Sequence, residues 1–275
     1  MAHGTAATAL FPRDDDVSEG PKWQDLLPRM ASAVVLIVAG AVEIWFGGWL
    51  FLITVCAVCG IMVWEAARMF DAPRPRADGL IAGSTLFVVV LAPVALFAPV
   101  VLASAFVTVT RAGKDKRLFF LAYVWIICAS FAVFLLRDLG GLLWFLWAIG
   151  VIAATDIGGY FAGRMLGGPK FWPAISPKKT WAGTVAGWGV AAIVGAVMMP
   201  YLGVGTQLIF ASILVSFASQ MGDIAESAVK RRAGVKDSSG LIPGHGGVLD
   251  RFDGVMGGGI VALGFWIMLG QGGAG

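Results

Sequence analysis

RLFFLAYVWIICASFAVFLL, residues 117–136, is a run of 20 residues in which only the first is charged. A helix of about 20 apolar residues is long enough to cross the hydrocarbon core of a bilayer. A chain surrounded by lipid must also satisfy its backbone polar groups internally, which a helix does. The segment therefore predicts a transmembrane helix.

Apolar runs flank this segment on both sides and are separated by charge clusters or by Gly and Pro. Nine runs result: 29–46, 48–69, 79–92, 94–110, 117–136, 141–165, 180–199, 205–231 and 252–270. The composition agrees, because 58% of residues are hydrophobic, 13% are charged and the mean hydropathy is +0.83. We predict an all-α integral membrane protein, a polytopic bundle of about nine transmembrane helices. Pro93 alone separates two short runs, so a single kinked or re-entrant element is the alternative there.

Basic residues are distributed unevenly along this pattern. Of the 20 Lys and Arg residues, all except Arg137 fall in the amino-terminal segment or in the loops 68–78, 111–117, 164–179 and 230–251. These regions share one side of the nine-helix arrangement, which the positive-inside rule makes cytoplasmic. The amino terminus is then inside and the carboxyl terminus outside. A short chain in which we find no targeting segment favours a bacterial inner-membrane location.

Three regions follow from this organisation. Residues 1–28 contain an acidic stretch and no apolar run, and we predict a mobile cytoplasmic tail. Residues 29–136 would hold helices one to five, and residues 137–275 would form a catalytic transmembrane region. The net charge of +3 does not indicate nucleic-acid binding, because the basic groups lie where anionic headgroups would be.

Charged residues and glycines concentrate in residues 227–253, SAVKRRAGVKDSSGLIPGHGGVLDRFD. Its basic residues could neutralise phosphates, and its aspartates offer the hard oxygens that Mg²⁺ prefers. The basic residues are Lys230, Arg231, Arg232, Lys236 and Arg251, and the aspartates are Asp237, Asp250 and Asp253. His245 lies among glycines, either in an anion-binding nest formed with Gly246 and Gly247 or in a tight turn where it only packs. The segment predicts a site for a charged ligand, on the cytoplasmic side of the bundle.

Three carboxylates lie within apolar runs, where charge is costly and needs a reason: Asp156, Asp223 and Glu226. Asp223 and Glu226 share one face of the run 205–231 with polar residues spaced three and four apart. Two interpretations remain open. The face could be a stripe of structural contacts, with Asp223 bonded to Ser219 and Glu226 paired with Lys230. Alternatively, Asp223 could hold a metal together with a carboxylate of the polar segment.

A second polar constellation contains Asp156, Tyr160 and Gly163-Arg164, followed by Ser176-Pro177-Lys178-Lys179-Thr180. Ser176 could be an N-cap with Pro177 as the first helical residue, which would place both lysines at a helix start. For the lysines, ordinary anchoring on the positive side is the alternative. Glu43 and Glu65 receive no functional assignment.

Both constellations resemble the phosphatidate cytidylyltransferase (CDP-diacylglycerol synthase) family, over about residues 150 to 255. Every fixed position of its signature is present: Ser227, Lys230, Arg231, Lys236, Asp237, Pro243, His245, Gly246, Gly247, Asp250, Arg251 and Asp253. The family segment with Asp, Tyr, Gly-Arg and Ser-Pro-Lys-Lys-Thr also matches. One departure is Ala182, which stands where that motif usually has Glu before Gly183.

The resemblance implies transfer of the cytidylyl group from CTP to phosphatidate in a lipid bilayer, with Mg²⁺ held by Asp223 and Asp250. Asp156, Asp253 and a second cation are further candidates for the metal centre, although Asp253 could instead cap a helix or pair with Arg251. The implied catalytic residues are Asp223, Asp250, Lys230, Lys236, His245 and Arg251. The implied substrate-binding residues are Arg164, Ser176, Lys178, Lys179, Arg231, Gly246 and Gly247. A homodimer follows from the resemblance only. A CTP-dependent lipid-alcohol kinase and an ion or phosphate transporter are the rival functions.

Overall fold

The structure is a computed structural model and describes residues 40–242 and 246–270, apart from the side chain of Pro177. Helices dominate the described chain. They are α1 (residues 40–46), α2 (Gly48–Met69), α3 (Pro75–Leu91), α4 (Phe97–Val109, after a 3₁₀ turn Val94–Leu96), α5 (Lys116–Asp138), α6 (Gly141–Leu166), α7 (Trp181–Leu202), α8 (Gln207–Ala233) and α9 (Leu249–Phe265), which continues as a π-helical turn Trp266–Gly270. Two short strands, β1 (Lys170–Trp172) and β2 (Ser176–Thr180), pair antiparallel between α6 and α7.

Six helices of the described chain are long and apolar enough to cross a membrane. They are α2, α5, α6, α7, α8 and α9 with its π-helical turn. The prediction of an all-α membrane protein is confirmed, and six spans are supported by length and composition. The predicted count of nine stays a prediction, because α3 has 17 residues and α4 has 13. The predicted tail 1–28 and most of the run 29–46 lie outside the described residues.

The break between α3 and α4 shows how the sequence sets helix ends. The backbone of Ala92 is extended, with ψ of 159°, and Pro93 follows it. A proline disfavours helical backbone at the preceding residue and removes a hydrogen-bond donor. The short runs therefore form two helices that pack on each other, instead of one kinked helix.

The predicted helix start at Ser176 is wrong. Ser176 opens β2, where it is the register partner of Trp172 in β1, and Lys178 and Lys179 lie in the same strand. The helix begins at Trp181, and Thr180 is its N-cap, with Oγ1 accepting from the Gly183 N–H at 3.2 Å. A Ser-Pro pair suits a helix start, but here cross-strand pairing satisfies the backbone and a second N-cap residue follows four positions later.

Arg137, the one basic residue predicted on the far side of the membrane, contacts the end of α1. Its Nε donates to the Ile44 carbonyl at 2.7 Å and its Nη2 to the Trp45 carbonyl at 3.0 Å. The last carbonyls of a helix have no intrahelical partner, so a cation there stabilises them. A helix-end contact thus accounts for the exception to the charge segregation.

Glycines bring α6 and α7 into close contact beneath the hairpin. A Cβ on Gly183 would clash with the Gly159 carbonyl oxygen, and a Cβ on Gly163 would lie 3.0 Å from Thr180 Oγ1. Small residues allow membrane helices to approach each other closely. The approach places the polar face of α6 beside the lysines of β2.

Candidate active site

A cavity of about 460 Å³ opens between α6, the β1–β2 hairpin and the start of α7. Its charged lining consists of Asp156, Arg164, Lys170, Lys178 and Lys179. The volume lies in the range of small-molecule sites. Because four cations and one carboxylate face this space, it suits a ligand that carries several phosphate charges.

Helix α6 supplies one wall of the cavity through residues spaced three and four apart. Asp156, Gly159, Tyr160, Gly163 and Arg164 all line it, as expected for positions that recur along one helix face. Arg164 Nη1 donates to the Tyr160 hydroxyl at 2.9 Å, which holds the guanidinium along the helix. Gly159 and Gly163 leave room for a ligand between the Asp156 carboxylate and the Arg164 guanidinium.

Gln220 of α8 and Thr184 of α7 line the inner part of the cavity. Gln220 Nε2 donates to the Thr184 carbonyl at 3.2 Å, and Trp188 Nε1 donates to Gln220 Oε1 at 3.0 Å. These bonds tie α7 to α8 inside the membrane region, where unpaired polar groups are costly. Sequence reasoning missed both Gln220 and Lys170; a lone amide in an apolar run was the available signal for the first.

Asp223 joins this site through an ion pair with the cavity-lining Lys179, whose Nζ lies 2.5 Å from Asp223 Oδ2. Ser227 Oγ donates to the other carboxylate oxygen at 3.4 Å. Asp156 and Asp253 are near enough for electrostatic repulsion with Asp223. Helices α6, α8 and α9 therefore each carry a carboxylate in this neighbourhood. Asp223 is bonded to Ser227 and Lys179, and not to Ser219 as one interpretation predicted.

A second polar cluster surrounds the ammonium of Lys230 near the end of α8. Lys230 Nζ lies 2.6 Å from Glu226 Oε2 and 2.6 Å from Asp250 Oδ1, and all three side chains are buried. The predicted Glu226–Lys230 pair is thus present. Asp250 also accepts from the backbone N–H and hydroxyl of Ser238 at 3.0 Å each, and from the Gly247 N–H at 2.8 Å.

The remaining predicted residues lie around these two groups. Arg231 and Lys236 are exposed near the end of α8, and Arg231 Nη1 donates to the Val235 carbonyl at 3.4 Å. Arg251 lines a separate, mostly apolar cavity of about 350 Å³. Gly246 has a φ of +82°, a conformation that favours glycine. His245 lies outside the described residues.

The donor set at Asp223 fits a hard divalent cation. In residues 40–242 and 246–270 no three His, Cys, Asp or Glu side chains form a ready-made metal cluster. Mg²⁺, however, usually takes only one or two protein carboxylates and fills its other positions with water and substrate phosphate. Asp223, with Asp156 and Asp253 beside it, can supply them. Both oxygens of Asp250 already accept hydrogen bonds within the protein.

Comparison with known proteins agrees with this chemistry. The sequence model of the cytidylyltransferase family matches residues 27–269. The chain is 31% identical over 255 residues to a phosphatidate cytidylyltransferase of Bacillus subtilis (strain 168), covering 83% of this chain and 93% of that protein.

Two shorter alignments show higher identity. A phosphatidate cytidylyltransferase of Brucella suis biovar 1 is 50% identical over 111 residues, which are 38% of this chain and only 40% of the relative. One of Staphylococcus haemolyticus is 42% identical over 138 residues, 49% of this chain and 52% of the relative. Because the family match extends over most of the sequence and includes both polar clusters, this chain belongs to the cytidylyltransferase family.

Proposed function

We propose that this chain is a phosphatidate cytidylyltransferase, which converts CTP and phosphatidate into CDP-diacylglycerol and pyrophosphate in phospholipid biosynthesis. The observation that carries the proposal is the cationic cavity lined by Asp156, with Asp223 paired to its lysine Lys179, in a chain of the cytidylyltransferase family. The names of the bacterial relatives support the same substrates.

The reaction is an in-line displacement at phosphorus. A phosphate oxygen of phosphatidate forms a bond to the α-phosphorus of CTP, and the bond from that phosphorus to the β-phosphate breaks, so pyrophosphate leaves. Two anions approach each other, and positioned cations are therefore the expected source of catalysis. Arg164, Lys170 and Lys178 line the cavity and would bind the phosphates. Arg231, Lys236, Arg251 and His245 remain candidates from the family resemblance.

Mg²⁺ is the proposed cofactor, held at Asp223 with Asp156 and Asp253 as neighbouring donors, and a second cation is a further candidate. When bound, it would neutralise charge on the triphosphate and the leaving pyrophosphate. Asp250 remains a candidate ligand, and it would have to exchange a protein hydrogen bond for the metal. Lys179 orients the Asp223 carboxylate from the hairpin side.

The proposed topology follows the charge distribution. A cytoplasmic site would give water-soluble CTP access to a lipid substrate anchored in the bilayer. The basic residues of the cavity and those of the loop after α8 support the cytoplasmic side by the positive-inside rule. We retain nine transmembrane helices, an inside amino terminus, a bacterial inner-membrane location and a homodimer as parts of this proposal.

Labelled CTP tests the reaction directly. Purified protein in detergent is incubated with phosphatidate, Mg²⁺ and CTP that carries label on either the α- or the γ-phosphate. Transfer of the α-label to lipid, with the γ-label recovered in pyrophosphate, is the expected result. Transfer of the γ-label to lipid would identify a kinase instead. No transfer of either label would contradict the proposal and favour a transporter.

A further inference from the structure

Glu65 of α2 is completely buried, and no sequence motif accounts for a carboxylate there. Its two oxygens accept four hydrogen bonds: from Ser238 Oγ at 3.2 Å, Ser239 Oγ at 2.5 Å, the Val248 N–H at 2.9 Å and the Leu249 N–H at 2.7 Å. A buried carboxylate is tolerated when such donors replace water. Four converging donors show that this part of the fold is built around an acceptor-only group.

Two of these donors belong to the beginning of α9. Val248 is the N-cap residue of that helix and Leu249 is its first residue, and the N-cap side chain makes no capping hydrogen bond. The first N–H groups of a helix lack intrahelical acceptors, and a negative charge beside them is favourable. Glu65 therefore takes the place of a capping side chain from more than 180 positions away in the sequence.

One of the other two donors, Ser238, connects Glu65 to Asp250. The Ser238 hydroxyl lies 3.2 Å from Glu65 Oε2 and 3.0 Å from Asp250 Oδ2, so it is shared between the two carboxylates. Gly247 completes the contact, because a Cβ there would overlap Ser238 Oγ and approach Glu65 Oε1. The lack of space for a side chain between Ser238 and Glu65 is therefore sufficient to explain a glycine at position 247.

We propose that Glu65 is a positioning residue for the transfer site. By fixing the Ser238–Ser239 turn and the start of α9 to α2, it sets where Asp250 and, one turn later, Asp253 stand relative to Asp223. Glu65 is fully buried and does not line the cationic cavity, so its role would be indirect. The catalytic consequence rests on the proposed function, whereas the structural contact does not.

Hydrogen exchange tests the contact without any substrate. In the full-length protein, Glu65→Gln replaces one acceptor oxygen by an amide donor, which faces N–H or O–H groups. Exchange in the segments 235–242 and 246–253 should accelerate about tenfold, the loss of one charge-assisted hydrogen bond. Exchange in α5 and α6 should not change. Unchanged exchange in the two segments, or equal acceleration throughout the chain, would overturn the proposal.

Asp71→Asn is the matched control. Asp71 lies just after the same helix, its side chain is 65% exposed and it pairs with Lys114 at 3.0 Å. Its φ of +53° is one that asparagine tolerates. This variant should leave exchange in 235–242 and 246–253 at the wild-type rate. Should Glu65→Gln fail to fold, Ser239→Ala removes only one of the four donors and should give a smaller acceleration in the same segments; no acceleration would count against the proposal.

Kinetics then separate positioning from mere stabilisation. For folded Glu65→Gln, kcat for cytidylyl transfer should fall about tenfold or more, equivalent to ~1.4 kcal/mol, while KM for CTP changes less than about threefold. Glu65→Asp, which keeps the charge, should recover part of kcat. A purely structural role would lower the yield of folded protein and leave kcat unchanged. If the wild-type protein transfers no label, the proposed function fails, and the exchange experiment still decides whether Glu65 holds the loop.

Discussion

Replacing Lys230 by Met should destabilise the protein strongly. The Lys230 ammonium lies between two carboxylates, 2.6 Å from Glu226 and 2.6 Å from Asp250. The side chain of Glu226 is 2% exposed and that of Asp250 is 7% exposed. Methionine has a similar length but no charge, so both carboxylates would lose their shared cation while remaining buried.

Removing one partner of a buried ion pair costs about 3–5 kcal/mol, because the other charge stays desolvated. Here one substitution leaves two carboxylates without that partner, although Asp250 retains its bonds from Ser238 and Gly247. Most of the expected loss of stability therefore comes from Glu226, whose carboxylate would remain buried without a cation. At about 2–4 °C per kcal/mol for a chain of this size, the unfolding midpoint should fall by at least about 6 °C.

Thermal unfolding in detergent, followed by tryptophan fluorescence, measures this shift. Lys178→Met is the control, because Lys178 is exposed in β2 and its loss should change the midpoint by less than about 2 °C. Lys230→Met combined with Glu226→Gln should regain part of the stability, since one buried charge is removed. A single Lys230→Met variant within about 2 °C of the wild-type midpoint would refute the argument from burial.

Three further predictions concern the proposed reaction. Asp223→Asn should lower label transfer more than about 100-fold without loss of folded protein, because the main metal donor is weakened; near-normal turnover would contradict this. Lys178→Gln should raise KM for CTP about tenfold, whereas Lys116→Gln, at an exposed site bonded to the Thr110 carbonyl, should not. Chelation of divalent cations should abolish transfer and added Mg²⁺ should restore it; transfer that persists after chelation would exclude a Mg²⁺ requirement.

Helix positions were the part of the fold that could be predicted best. The run 48–69 coincides with α2, and 141–165 differs from α6 by one residue. Membrane thickness and the need to satisfy every backbone polar group fix such segments from composition alone. The spacing of Asp223, Glu226 and Lys230 also predicted one polar face, and the structure adds that the face serves two different clusters.

Contacts between distant segments could not be predicted in the same way. The sequence shows Glu65 as a single carboxylate in an apolar run. The donors to its oxygens are two serine hydroxyls and two backbone amides, which form no sequence pattern with Glu65. The β1–β2 hairpin was missed for a related reason: Ser176-Pro177 satisfies the local rule for a helix start, and only pairing with β1 decides against it. The local preference for a helix start is overridden where a neighbouring strand offers backbone hydrogen bonds.

The two polar clusters differ in their access to the cavity, and the difference bears on function. Around Lys230, each carboxylate contacts the ammonium directly. Near the cavity, Asp156 and Asp253 lie close enough to Asp223 to repel it electrostatically. Lys179 forms an ion pair with Asp223 and also attracts Asp156. Like charges that share a low-dielectric site destabilise the fold unless a cation joins them. The Lys230 cluster does not line the cavity, whereas Asp156 does and Asp223 pairs with a lysine of its lining, so the carboxylates at the cavity are the ones that favour binding of a cation together with its phosphate ligand.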